Sequence, residues 1–181
     1  MINWSDPKCP ISKHFTVHDA LYLKSWDVYH IPTEAEIQGI LSLAPLMDEI
    51  WETFGEMERH CWLRPIKTNF NGEIRVKLSK SDPKYQMKKD ALKRKDYNAF
   101  IGSTSPSGAH PKGRGLDFHF KYFNDRLFDN LTDAEKIEAC RIMRLKIIPV
   151  LEKLGLRLEN IVGTWLHLDN MPVKYNRFFK P

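Results

Sequence analysis

Apolar residues recur over 34–54 at the spacing of one broad helical face: Ile37, Ile40, Leu41, Leu43, Leu46, Met47, Ile50, Trp51 and Phe54. Thr33 precedes the run as an N-cap, Glu34 and Glu36 suit the positive helix end, and Gly55 supplies a stop. Pro45 lies inside the run and predicts a kink or a split. A second helical pattern follows Thr132, carries Ile137, Cys140, Ile142, Met143, Leu145, Ile147, Ile148 and Val150, and ends near Leu154 at Gly155. Upstream, the chain from Ile11 leads into a short helix with Thr16 as N-cap and Asp19 three residues on. Elsewhere the period is two. Residues 115–122 and 163–169 alternate as strands, and Pro172 stops the second. Residues 62–70 and 73–78 have β-like character around an Asn-Phe-Asn-Gly turn. The basic segment up to Asn98 reads as helix, and 101–114 reads as a loop rich in Gly, Ser and Pro. Helices separated by short strands predict an α+β fold: one domain over residues 1–181, with a small antiparallel sheet flanked by helices.

Composition narrows the classes. A chain of 181 residues with 42% hydrophobic content can bury a core without staples. Its three cysteines, Cys9, Cys61 and Cys140, form no CxxC pair, which excludes a zinc ribbon or a thioredoxin-like motif; Cys140 falls among apolar helical positions as a core thiol. No apolar run approaches the length of a membrane span, and the first residues lack the basic and apolar regions of a secretory signal. The net charge of +5 and pI near 9.0 favour polyanionic surroundings. The densest basic run, residues 84–95, reads as a solvated helix face. No nucleic-acid-binding motif accompanies it, so nucleic acid is not an expected partner.

The alternating segments carry the chemistry. In Gly115-Leu116-Asp117-Phe118-His119-Phe120, the three apolar side chains share one face and Asp117 and His119 share the other. In Trp165-Leu166-His167-Leu168-Asp169, Leu166 and Leu168 point to the core while Trp165, His167 and Asp169 point away. If the two strands pair, two His and two Asp meet on one exposed face. Ahead of them, Pro111-Lys112-Gly113 can turn the chain so that His110 folds back over the strand, with Gly113 and Gly115 allowing close backbone passage. His110, Asp117 and His167 then make three ligands, the number that leaves a zinc ion one open position for catalysis.

These residues carry a resemblance. Residues 107–117, Ser-Gly-Ala-His-Pro-Lys-Gly-Arg-Gly-Leu-Asp, followed by Thr164-Trp165-Leu166-His167-Leu168-Asp169, resemble the zinc D-Ala-D-Ala peptidase superfamily. That group includes carboxypeptidases, vancomycin-resistance dipeptidases and phage endolysins, and the hedgehog signalling domain is a structural relative. Its hallmark is a His, a Gly three residues on, an Asp seven beyond the His, and a distant second His after a hydrophobic residue. His110, Gly113, Asp117 and His167 match it, and Ser12-Lys13-His14-Phe15-Thr16 and Tyr97-Asn98-Ala99-Phe100-Ile101-Gly102-Ser103 resemble flanking family segments. The resemblance implies a hedgehog/DD-peptidase-like fold and Zn2+ as cofactor. It further implies hydrolysis of peptidoglycan stem peptides or cross-links, as a carboxypeptidase or endopeptidase. A short basic enzyme of this kind without a signal peptide is expected in a bacteriophage. It would act as an endolysin held in the host cytoplasm before release to the cell wall, or as a virion-associated enzyme.

The chain departs from the pattern in three places. Gly108 stands where many members have Ser. Thr164 stands where many carry the catalytic Glu, and a hydroxyl is a poor base at neutral pH. The family's usual Arg has no aligned counterpart, although Lys67 and Arg75 lie in that region. Asp169 is the expected general base, with Glu159 and His119 as alternatives. Trp165 lines a substrate groove or is simply half-buried, and Lys112 and Arg114 attract an anionic substrate or are simply solvated. A zinc-binding module without turnover is the rival reading, and Thr164 is its best argument.

Overall fold

A computed structural model describes residues 1–24, 28–63 and 108–180. The basic run at 84–95, Lys67, Arg75, the Tyr97–Ser103 segment and most of the β-like stretches at 62–70 and 73–78 lie outside the described residues. The chain opens with α1 (Val17–Leu21) and a small hairpin, β1 (Tyr22–Leu23) with β2 (Val28–Tyr29). The long helix α2 (Glu34–Phe54) follows, then β3 (Met57–Cys61). A 3-10 turn at His110–Lys112 leads into β4 (Gly115–Phe120). Next come a hairpin of β5 (Tyr122–Phe123) and β6 (Arg126–Leu127), a 3-10 turn at Phe128–Asn130, α3 (Asp133–Ile147) and α4 (Leu151–Leu154). The last strands are β7 (Arg157–Glu159), β8 (Leu166–Asp169) and β9 (Phe178–Phe179).

This is an α+β arrangement around a five-stranded sheet in the order β3-β4-β8-β7-β9. The sheet is mixed, not purely antiparallel as expected: β9 runs parallel to β7 at its edge, because the chain crosses back over Pro172 and the residues after it before pairing. The expected pairing of the two His-bearing strands is present, with Asp117 opposite His167. Leu116, Phe118 and Phe120 join Leu158, Leu166 and Leu168 in one core with Ile40, Leu43, Met47 and Ile50 of α2 and Ala139, Cys140, Met143 and Ile147 of α3. Burial pushes the Cys140 thiol pKa up to about 11, as a core thiol requires. Among the described residues, no helix is long and apolar enough to cross a membrane.

Local chemistry explains the boundaries. All three expected N-caps form capping boxes: Thr16 with Asp19, Thr33 with Glu36 and Thr132 with Glu135. Gly55 and Gly155 end their helices with φ of 115° and 67°. Pro45 does not split α2, which is one helix of 21 residues. Pro45 is exposed, so the backbone bond it removes faces solvent while the buried stripe on the other side holds the helix together. The second long helix is broken, in contrast: Pro149 sits in a 3-10 turn at Ile148–Val150 between α3 and α4. The first chemistry-bearing strand ends at Phe120 rather than 122, and Asn124 and Asp125 turn the following hairpin with φ of 48° and 60°.

The N-terminal end of α2 is also the platform for the turn that carries His110. A Cβ on Gly39 would stand 1.6 Å from the Lys112 carbonyl oxygen, so only glycine lets the turn approach the helix. Gly113, with φ of 67°, faces the Glu36 carbonyl. Gly39→Ala should therefore cost about 1–3 kcal/mol by overpacking, read from a urea midpoint, and an unchanged midpoint would show that the turn is free to move. Glu36 makes a second test. Burial opposes its ionisation, but hydrogen bonds from His30 and from the Thr33 backbone and hydroxyl outweigh this and hold its carboxyl below the ordinary glutamate value. A depressed folded-state value adds stability above the ordinary pKa and loses it as pH falls through the folded one. Glu36→Gln should lower the melting temperature at pH 7, and the gap to wild type should narrow as pH falls below about 4.

Candidate metal centre

The registers of the sheet set out a row of side chains. Cys61 on β3 pairs with Asp117 on β4, and Asp117 pairs with His167 on β8. On β7, Arg157 pairs with Asp169 and Leu158 with Leu168, which carries Glu159 to the position beside His167. Cross-strand neighbours share a face and stand about 5 Å apart. Cys61, Asp117, His167 and Glu159 therefore line one polar row on the face away from the core. That face is not exposed, as the alternation alone implies: all six residues of β4 are buried, with Asp117 and His119 each 5% exposed.

The turn above the row brings in His110. Its Nδ1 lies 2.7 Å from the Trp62 carbonyl oxygen, which can only accept, so Nδ1 carries the proton. Trp62 Nε1 in turn donates to the Gly113 carbonyl at 2.8 Å. Arg114 donates from Nε to Asn170 Oδ1 and from Nη2 to the Asn170 carbonyl, at 2.8 and 2.5 Å, and Asn170 Nδ2 donates to Ser42 on α2. Arg114 thus ties the turn to the end of β8, and Lys112 is the exposed cation of the pair. His110 Nε2 then points at Asp117 Oδ1 from 3.2 Å, and His167 Nδ1 reaches the same oxygen at 2.7 Å. The two imidazole rings lie 4.9 Å apart at 67°.

His167 is held from behind. Its Nε2 lies 3.3 Å from Asp169 Oδ2, and Asp169 accepts Arg157 Nε and Nη2 at 2.7 and 2.9 Å and the Met171 amide at 2.9 Å. Asp169 is 1% exposed. Burial opposes its charge, but His167, Arg157 and the Met171 amide hold its carboxyl below the ordinary range. Glu159 is different. It is half-buried, and among the described residues its carboxylate makes no hydrogen bond or ion pair. Burial raises its pKa, and the charges of His167, Asp117, His110 and Asp169 all act on it.

These contacts define what the site can hold. With Nδ1 of His110 and Nε2 of His167 occupied by their backing groups, the neutral imidazoles present two lone pairs to an anionic oxygen. Three converging electron pairs require a proton or a cation between them. Without a metal a proton can fill this role: burial opposes the charge on Asp117, but hydrogen bonds from both imidazoles hold its carboxyl far below its ordinary value. Burial opposes a charge on His167, but its hydrogen bonds to Asp117 and Asp169 push it up to about 9. The donor set fits a divalent metal. Cys61 adds a sulfur: one ligand atom each of Cys61, His110 and Asp117 lies within 4.8 Å of the others.

Of the residues singled out from the sequence, His110, Asp117 and His167 come together. Asp169 and Glu159 border them. His119 shares the face of Asp117 but turns to His60, Glu58 and Phe128. Trp165 is 39% exposed just ahead of β8, its carbonyl fixed by Arg144 Nη2 of α3 at 2.5 Å. Cys61 was not legible as a site residue, because a shift of register between Arg59 and Cys61 brings it opposite Asp117 and no spacing in the sequence announces that shift. Comparison of the chain with protein-family models, with curated proteins and with solved structures finds no match.

Proposed function

We propose that the chain is a zinc-dependent peptidase that hydrolyses peptide bonds in the stem peptides or cross-links of bacterial peptidoglycan. The observation that carries this reading is the convergence of His110 Nε2 and His167 Nδ1 on Asp117 Oδ1, each imidazole backed by its own acceptor. Two imidazoles and one carboxylate are a ligand set of catalytic zinc, with a fourth position for substrate chemistry. When bound, zinc supplies a Lewis acid that activates water at neutral pH and polarises a carbonyl. The substrate class, and the setting in a bacteriophage lysin or virion enzyme, rest on the motif resemblance alone.

The proton carrier is reassigned on this geometry. Asp169 has both oxygens taken up by Arg157, the Met171 amide and His167, so it serves to orient His167. Glu159 stands beside His167 in the β7–β8 register, makes no hydrogen bond or ion pair among the described residues, and has its pKa raised by burial, the direction a general base needs. It takes the role that the Thr164 position leaves open. Its oxygens accept a proton from the attacking water and return it to the leaving amine.

The rival reading has its own observation. If Cys61 takes the fourth position beside His110 and Asp117, the set is closed and the domain is a zinc-binding module without turnover.

Digestion of purified peptidoglycan, with products identified by mass, should release new peptide termini. A chelator should abolish the release and zinc should restore it. Full zinc content with no release from any wall fragment would sink the peptidase reading. Glu159→Gln should keep its zinc and lose about 10²- to 10⁴-fold in turnover. Asp169→Asn should instead weaken zinc affinity or activity by about 10- to 100-fold. The opposite division between the two variants would restore Asp169 as the base. Cys61→Ser separates the readings further: the peptidase retains hydrolysis, whereas a closed module loses zinc affinity and hydrolyses nothing in either form.

A further inference from the structure

A second cluster of ligating side chains lies on the same sheet face, one strand step from Asp117. Glu58 on β3 pairs in register with His119 on β4. The register then shifts before Cys61, which leaves His60 as an extra residue on β3. Such a bulge re-aims the side chains around it. Here it turns the His60 ring to His119, with His60 Nε2 2.6 Å from His119 Nδ1. Phe128, from the 3-10 turn at Phe128–Asn130, stacks on the His119 ring at 4.2 Å and 19°. The next residue of that turn is Asp129. One ligand atom each of Glu58, His119 and Asp129 lies within 4.8 Å of the other two.

The partnering of His119 points to a missing cation. Its side chain is 7% exposed, and its Nε2 is a buried nitrogen without a hydrogen bond, although Glu58 Oε2 lies 3.4 Å away. If Nδ1 donates to His60, Nε2 presents a lone pair to two carboxylates, and three acceptors face one another. In the other tautomer, Nε2 carries a buried proton that Glu58 stands too far off line to accept. A metal ion satisfies the first arrangement, because a ligating histidine ordinarily donates its other ring N–H to a backing group, and His60 is placed to receive it. Among the described residues, no Lys or Arg forms an ion pair with Glu58 or Asp129. Lys121 pairs with Glu56, Arg126 with Glu135 and Arg59 with Asp19. Lys136 lies over the Phe128 ring, 5.8 Å from its centroid. Glu58 is 44% exposed along its side chain and Asp129 is exposed, which leaves a path in from solvent.

We infer that Glu58, His119 and Asp129, backed by His60, form a second divalent-cation site distinct from the one at His110, Asp117 and His167. One imidazole with two carboxylates suits a first-row transition ion such as Zn2+ or Mn2+. Asp117 and His119 are two residues apart on one strand, about 7 Å, so the two ions are not a bridged catalytic pair, which needs about 3.5–4 Å. The second ion instead ties β3, β4 and the Phe128–Asn130 turn together, next to the candidate catalytic face.

The test is the stoichiometry of Zn2+ bound by the full chain, titrated calorimetrically, with circular dichroism as the folding control. Wild type should bind two equivalents. The double variant His110→Ala/His167→Ala should keep one, and adding His119→Ala should remove it. Should His119→Ala unfold the chain, Glu58→Gln with Asp129→Asn, both on exposed side chains, should remove the same equivalent. His60→Ala should retain the equivalent with affinity about 10- to 100-fold weaker. One equivalent lost only with His119 upholds this site and sinks the catalytic one. One equivalent lost only with His110 and His167, or a second equivalent that survives the Glu58 and Asp129 changes, overturns the inference.

Discussion

The carboxylate of Asp117 sits buried in the middle strand of the sheet, facing two imidazoles, and most of the polar architecture exists to make that position tolerable. An isolated ionised carboxylate at 5% exposure would cost several kcal/mol to desolvate. A proton or cation shared with His110 Nε2 and His167 Nδ1 offsets the cost, but only if both rings are held in place. The β4–β8 register delivers His167 directly, since Asp117 and His167 are cross-strand partners. His110 has no such guarantee. It depends on a turn seated on α2 through Gly39, on the Trp62 carbonyl, and on the Arg114–Asn170–Ser42 chain that joins the turn to β8 and back to the helix. The core of the protein therefore supports the site from two sides: α2 sets the height of the turn, and the sheet sets the spacing of the row.

The register shift at His60 multiplies what that row can do. In a regular ladder a single residue would oppose Asp117, and β3 would offer one side chain to the polar face there. The extra residue gives two, and they diverge: Cys61 toward His110 and Asp117, His60 toward His119. Bulges commonly sit beside functional sites because they re-aim side chains without breaking the sheet. The same irregularity here brings a thiol to one cluster and a backing imidazole to the other.

Much of this was legible because the signals are local. Capping boxes at Thr16, Thr33 and Thr132 mark helix starts through short-range hydrogen bonds, and the alternation in 115–120 and 166–169 assigns faces without reference to the rest of the fold. The spacing of His110, Gly113 and Asp117 encodes a turn followed by a strand, and the structure builds it. What the sequence hid is non-local or depends on register. Alternation says that Asp117 and His119 share a face, but not that the turn at 128–130 covers it. Cys61 and Glu159 enter the row only through pairing partners, and the parallel return of β9 follows from a crossover that no periodicity records. The bidentate contact of Asp169 with Arg157 was hidden for the same reason: Arg157 lies twelve residues away and meets it only once β7 and β8 are side by side.

The row also bears on whether the site is open or closed. Its two ends are chemically unequal. At the β3 end, the Cys61 thiol contacts the Leu63 carbonyl at 3.5 Å, which an S–H satisfies as donor and a thiolate does not. Ligation by sulfur would require that proton to leave, although Sγ already lies within 4.8 Å of ligand atoms of His110 and Asp117. At the β7 end, the β7–β8 register sets Glu159 beside His167, and among the described residues its carboxylate makes no hydrogen bond or ion pair. Burial raises its pKa, the direction that favours a general base. A half-buried carboxylate with no hydrogen bond among the described residues is unfavourable for folding. Under the proposed peptidase reading, these two ends would correspond to an open fourth position and a base at its edge.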